Sequence, residues 1–335
     1  MLNKLNLLFK NRLGIFFFAI IFFFSGILFQ NSIIDKHFLS NKYECLTDLI
    51  FINPEPGCEI FEKKTERMAN LQLKLQLQVD GYLLNKKAGR ISVFTRDLTT
   101  QRFAGVNEGD IFFMASLLKL PLVIAYYRLS EITPDLLTQK LTYTDTLDEY
   151  SVQSMQPKKK LEIGKNYMVK DLAYRALAFS DNSASALLRN NFVSDDYLNK
   201  VLLAIGLQIK KDGEEEDLIT AKSYGLIFRM LYNSSFLERN FSNEILKMLS
   251  ESDFTDGATK YLPKDIVVAH KFGERTAVNI NNEVEFRQLH DCGIVYAKNG
   301  KEPYTFCIMT EGQSFEDLKT IIQVLSKTIY ENMQE

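Results

Sequence analysis

Residues 112–127 read FFMASLLKLPLVIAYY. From Ser116 to Glu131 the chain (SLLKLPLVIAYYRLSE) reads as a mostly apolar helix. Pro121 is tolerated because the first turn of a helix has N–H groups without intrahelical partners. Ser116 and Lys119 are the polar interruptions, and an i, i+3 spacing puts hydroxyl and amine on one face, a turn apart. A lysine there can act as base only if its ammonium is destabilised by burial or by a second cation. This Ser-x-x-Lys occurs once in the chain. By itself it equally describes a helix start carrying a solvated lysine.

Working outward from it, β-like runs stand at both ends of the chain and helical patterns in the middle. Upstream, RISVFTRDL (90–98) and RFAGV (102–106) around a TTQ turn read as a hairpin. Residues 62–87 contain LQLKLQLQV, whose alternation would suit a strand. Leu71, Leu75, Val79 and Leu83 also form an i, i+4 stripe, and the Leu, Gln and Lys content favours a helix. Downstream, helical pieces are expected at 167–178, 184–189, 195–205, 221–232 (capped by Thr220) and 241–250. Then come the strands DIVVAHKFG, VEFRQLHDCGIVYA and YTFCIMTE, and a closing helix at 314–330. The expected fold is α+β: an antiparallel sheet built from both chain ends, with an all-helical middle packed against it.

The chain has 335 residues, 40 Lys+Arg against 42 Asp+Glu, and 46% hydrophobic residues. A net charge of −2 excludes nucleic acid as the main partner, since phosphate binding needs a concentrated basic face. The composition also excludes collagen-like and disordered classes. Eight of the 25 Phe fall in the first 30 residues, mostly in LGIFFFAIIFFFSGILF (13–29), which is uncharged. At about 1.5 Å per residue this run reaches about 25 Å, enough for a short membrane span. Lys4, Lys10 and Arg12 precede it, so the N-terminus is expected in the cytoplasm. No Ala-x-Ala-like exit follows, which favours an uncleaved anchor over secretion after signal cleavage. Residues 1–30 are thus read as cytoplasmic tip and transmembrane helix, 31–60 as extracytoplasmic spacer and 61–335 as catalytic domain.

Cysteine placement agrees with an oxidising compartment. Cys45 and Cys58 could close a loop around Asn53-Pro54-Glu55-Pro56-Gly57. A hairpin turn at Asn299-Gly300 would set Cys292 opposite Cys307, as a disulfide or as two buried thiols. With three His and no Cys-x-x-Cys, no metal site is expected.

Two further motifs give Ser116-x-x-Lys119 a context. Ser180-Asp181-Asn182 follows 64 residues after Ser116, between helical patterns, and Lys271-Phe272-Gly273 follows 91 residues later on a β-like run. Either alone reads as a capping turn or an edge-strand lysine. In this order and setting the three resemble the Ser-x-x-Lys, Ser-Asp-Asn and Lys-Thr-Gly signature of class A β-lactamases and penicillin-binding serine hydrolases. The resemblance extends over about residues 65–330. It implies a β-lactamase-like α+β fold and an active-site serine acyl hydrolase without cofactor. Ser116 would be the nucleophile, Lys119 its base and Ser180 the proton relay to the leaving nitrogen. Asn182 would contact the acyl side chain, Lys271 would supply a second cation, and Gly273 and Glu274 would line the substrate strand. The Glu274 backbone N–H would be an oxyanion donor.

The pattern departs from that family at two places. Phe272 stands where a Thr hydroxyl could hold a substrate carboxylate, leaving Arg275 or Thr276 for that task, or a substrate that presents no carboxylate. The family's Glu-x-x-Leu-Asn loop is matched only by Glu215-Glu216-Asp217-Leu218 followed by Ile219, which reads better as a solvated acidic run. Slow deacylation is therefore expected. The implied activity is β-lactam hydrolysis. The alternatives are a D,D-carboxypeptidase or penicillin-binding peptidoglycan amidase, and a catalytically weak module that binds cell-wall peptide.

Overall fold

The computed structural model describes residues 65–144, 156–157, 159–192, 194–207, 218–296 and 302–334. The apolar run at 13–29, the spacer at 31–60, Cys45, Cys58, Glu215 and the Asn299-Gly300 turn lie outside these residues. No described helix is long and apolar enough to cross a membrane.

Helix α1 (Thr65–Leu84) settles the competition between two periods. In a strand Leu71, Leu73, Leu75 and Leu77 would share one face. Instead Leu71, Leu75 and Val79 are fully buried while Leu73 and Leu77 are 60% and 65% exposed, so the 3.6 period wins.

Strands β1 (Arg90–Asp97) and β2 (Phe103–Val106) form the expected hairpin. Near the C-terminus come β7 (Val267–Val278), β8 (Val284–Tyr296), β9 (Tyr304–Gly312) and the final helix α8 (Phe315–Gln334). These strands make one antiparallel sheet in the order β2-β1-β9-β8-β7. Both faces are covered, which explains the near-continuous apolar strand sequences. On one face Phe306, Ile308, Leu289 and Val295 pack with Leu71, Leu75 and Val79 of α1 and with Ile322, Leu325 and Ile329 of α8. On the other, Cys307, Met309, Cys292 and Ile294 join the core of the helical middle. Cys292 pairs with Cys307 across β8 and β9 in the anticipated register, as a disulfide.

The middle consists of a 3₁₀ turn (Ala115–Leu118) running into α2 (Lys119–Ser130), then α3 (Val169–Ala178), α4 (Asn182–Asn190), α5 (Asp195–Ala204), α6 (Ala221–Tyr232) and α7 (Arg239–Ser250). Thr220 caps α6 by accepting from the Ser223 N–H at 3.1 Å. Two small ladders escape a sequence reading. Strand β3 (Ile111–Phe113) pairs with β6 (Leu218–Thr220), and β4 (Lys140–Thr142) pairs with β5 (Asn166–Met168). Three-residue strands are too short to show a period.

His290 on β8 ties the sheet to β3: its Nε2 donates to the Phe113 carbonyl at 3.1 Å. Burial pushes its pKa down to about 4. The unfolded chain therefore binds more protons than the folded one between about pH 6.5 and 4, and stability falls as pH drops through that window. We expect His290 to contribute up to about 3 kcal/mol of acid destabilisation there. Urea titrations at pH 7 and 4.5 should show a shallower loss for His290→Gln than for the native chain. Equal losses would remove His290 as the cause.

Candidate active site

Ser116 lies on a strained turn. Ala115 before it has φ +47°, a left-handed conformation that costs a non-glycine residue on the order of 1–2 kcal/mol. Two contacts hold the turn. Tyr224 of α6 donates its hydroxyl hydrogen to the Leu117 carbonyl at 2.8 Å, and β7 presses against the turn at Gly273. A Cβ on Gly273 would lie 3.1–3.2 Å from Leu117 Cγ, Leu117 N and Met114 O, so a side chain there would push the strand away from the serine.

Lys119, at the first position of α2, is 6% exposed. Its Nζ lies 2.8 Å from Ser116 Oγ, 2.8 Å from the Ser180 carbonyl oxygen, 3.2 Å from Ser180 Oγ and 2.6 Å from Asn182 Oδ1. Ser180 is held with φ +51° in the bend between α3 and α4. Asp181, fully buried, caps α4 by accepting from the Ala184 N–H at 3.0 Å. So the capping role is real, but it belongs to Asp181, and it turns Ser180 and Asn182 toward Lys119.

Lys271 reaches the same hydroxyl from β7. Its Nζ donates to Ser180 Oγ at 2.8 Å and to the Phe272 carbonyl at 2.8 Å, with no solvent exposure. Burial pushes the Lys271 amine well below the usual lysine range, the Lys119 charge adds to this, and the Asp291, Asp253 and Glu274 carboxylates oppose it. Two amines and two hydroxyls from residues 116, 119, 180 and 271 thus form one hydrogen-bonded chain. Such a chain can draw a proton from one hydroxyl and deliver it at the other.

A family model for the β-lactamase enzyme family matches residues 74–333, the span that carries this whole constellation. The chain belongs to that family. This β-lactamase-family member is a serine hydrolase. No curated protein matches it. Solved structures share its fold at low identity. One is a variant of PBP-A solved as an acyl-enzyme complex with penicillin G (17% identity, TM-score 0.65, covering 80% of this chain and 97% of that one). Another is a β-lactamase from Burkholderia phymatum (18%, 0.66, 79% and 99%). A third is a class A β-lactamase from Mycobacterium abscessus (18%, 0.66, 79% and 100%).

The cavity of this β-lactamase-family chain is about 440 Å³. Ser116, Lys119, Asn182 and Glu274 line it, together with Arg275 and Arg189. Ser180 and Lys271 lie behind this surface, buried. Arg275 sits with its guanidinium 4.1 Å from the Phe113 ring centroid. Thr276, the other carboxylate candidate, is exposed on β7. The reading of α4 missed Ser185, Ala186 and Arg189, which also line the cavity. Their i+3, i+4 and i+7 spacing from Asn182 was the available signal.

Phe272 departs from expectation. It replaces a hydroxyl, as the sequence says, but the ring is 3% exposed and stacked on Phe254 at 4.2 Å, in the core beneath the sheet. It therefore leaves the cavity open. Ile219, where a water-holding Asn would belong, is a buried strand residue paired with Phe112.

Proposed function

We propose that the chain opens β-lactam amides through an acyl-serine intermediate on Ser116. The observation that carries this is the contact of Lys119 Nζ with Ser116 Oγ at 2.8 Å, inside a network that also reaches Ser180 and Lys271. A neutral Lys119 has two N–H donors and one lone pair. The Ser180 and Asn182 carbonyl oxygens take the donors, leaving the lone pair for the Ser116 proton. Ser116 Oγ then bonds to the carbonyl carbon while its proton passes to Lys119. The tetrahedral oxyanion meets the backbone N–H groups of Ser116 and Glu274. As the C–N bond breaks, Ser180 gives its proton to the leaving nitrogen and is reprotonated from the lysine pair. Lys271 orients Ser180, and because the two amines share the Ser180 hydroxyl, a charge on one disfavours a charge on the other, so that Lys119 can stand neutral. Asn182 binds the acyl side chain's amide, and Gly273 lets β7 approach the nucleophile.

A second reading within the same chemistry is a penicillin-binding peptidoglycan amidase, which β-lactams would acylate and not leave quickly. The buried Ile219 favours it, because a residue on a packed strand cannot hold a deacylating water. By its sequence, the chain is proposed to work outside the cytoplasm, tethered by residues 13–29 and drawing on a small β-lactam or a cell-wall peptide as substrate. No cofactor enters the mechanism.

Intact-mass spectrometry after mixing with a fluorescent penicillin tests these readings. We expect one penicilloyl adduct per chain that persists for minutes. Turnover within seconds would favour the lactamase over the amidase, and no adduct at all would leave a binding module.

A further inference from the structure

Lys271 has a wall of aromatic carbon behind it. The Phe272 ring centroid lies 4.4 Å from Lys271 Nζ, and the Phe254 ring stacks on Phe272 with centroids 4.2 Å apart and planes at 29°. Phe254 comes from the segment between α7 and β7, where two hydrogen bonds bracket it. The Asp253 N–H donates to the Ala178 carbonyl at 3.0 Å, two residues before Ser180, and the Ala258 N–H donates to Asp291 Oδ2 at 2.9 Å. Gly257 makes room for the ring, since a Cβ there would meet Phe254 Cε1 at 2.3 Å and Asp291 Oδ2 at 2.5 Å. The segment is thus fastened to the end of α3 and to β8 on either side of Phe254, and it carries that ring onto Phe272.

We propose that Phe254 and Phe272 are positioning residues, whose stacked rings keep water from the Lys271 amine and so set how readily it holds its proton. Two effects of the rings oppose each other. A ring face attracts a cation weakly, whereas withdrawing an ammonium from water disfavours its charged form strongly. The exclusion of water wins, so the wall makes the Lys271 proton easier to lose. The charged groups facing Lys271 are Lys119 from α2, Asp291 from β8, Asp253 from the segment that carries Phe254 and Glu274 from β7 itself. His270 Nδ1 lies 2.8 Å from Asp291 Oδ1. A hydroxyl in place of Phe272 would admit water between these groups and let Lys271 keep its proton at higher pH.

The titration of Lys271 stands apart from the acyl-transfer reading; only its effect on rate rests on that reading. The full chain with ¹³Cε-labelled lysine is titrated by NMR, the Lys271 signal being assigned by its loss in Lys271→Arg. We expect Phe272→Thr to raise the Lys271 midpoint by about one pH unit or more. Phe254→Ala should move it the same way by less. Phe272→Leu, which stays dry and loses only the ring face, should leave it unchanged or lower. A midpoint unmoved in both Phe272→Thr and Phe254→Ala overturns the proposal, as does a rise in Phe272→Leu equal to that in Phe272→Thr. If penicillin acylates the chain, the alkaline limb of its acylation profile should climb with the midpoint. A midpoint that moves as expected in a chain that never acylates would overturn the acyl-transfer reading and leave the aromatic wall standing.

Discussion

Ser116→Ala is expected to take up no penicilloyl mass under conditions in which the native chain is fully labelled. The substitution removes the hydroxyl that lines the cavity and bonds Lys119. Ser180 is a poor substitute, since its Oγ is buried between two amines. The loss should be in chemistry and not in fold. Ser116 is partly exposed and its turn is held by Tyr224 and Gly273 through backbone atoms, so the melting free energy should stay within about 0.5 kcal/mol. Binding and oxyanion donors survive, and a residual acceleration on the order of 10³ over water is compatible with a missing nucleophile. A Ser116→Ala chain that still acquires one adduct would place the nucleophile elsewhere, and peptide mapping of that adduct would say where.

Much of this arrangement was legible before any coordinates. That an antiparallel sheet draws on both chain ends followed from the β-like runs there, the α1 stripe from Leu71, Leu75 and Val79, and the facing of Cys292 and Cys307 from their spacing about a hairpin turn. The site was legible because its residues sit where local rules act: a helix start, an N-cap bend and a strand. What could not be read lies between distant segments. Nothing near Phe254 announces that its ring will meet Phe272, and nothing near Tyr224 announces a bond to Leu117, because both are fixed by packing across more than a hundred residues or across two elements. Phe272 was visible as a departure, but the direction of its side chain depends on which face of β7 turns toward the helices. The register of β7 with β8 decides that, and a period-2 pattern buried on both faces does not reveal it.

Lys119→Met is expected to slow acylation by roughly 10³–10⁴-fold, the upper range for a positioned general base. Methionine fills a similar volume, so the core of α2 should hold, while Ser116 loses the acceptor for its proton. This alone would not separate a base from a fixed positive charge that draws the serine or the substrate into place. Lys119→Arg separates them. A guanidinium keeps the cation and can reach Asn182 and the Ser180 carbonyl, yet it does not deprotonate in a protein and has no lone pair to offer. If Lys119 is the base, the arginine chain should be as slow as the methionine chain at every pH from 6 to 9. Stopped-flow measurement of penicillin acylation gives both rates. An arginine variant within tenfold of the native rate would mean that Lys119 serves as a charge. The Ser116 proton would then have to leave by another route, with Ser180 as its first stop because the same Lys119 amine bridges the two hydroxyls at 2.8 and 3.2 Å.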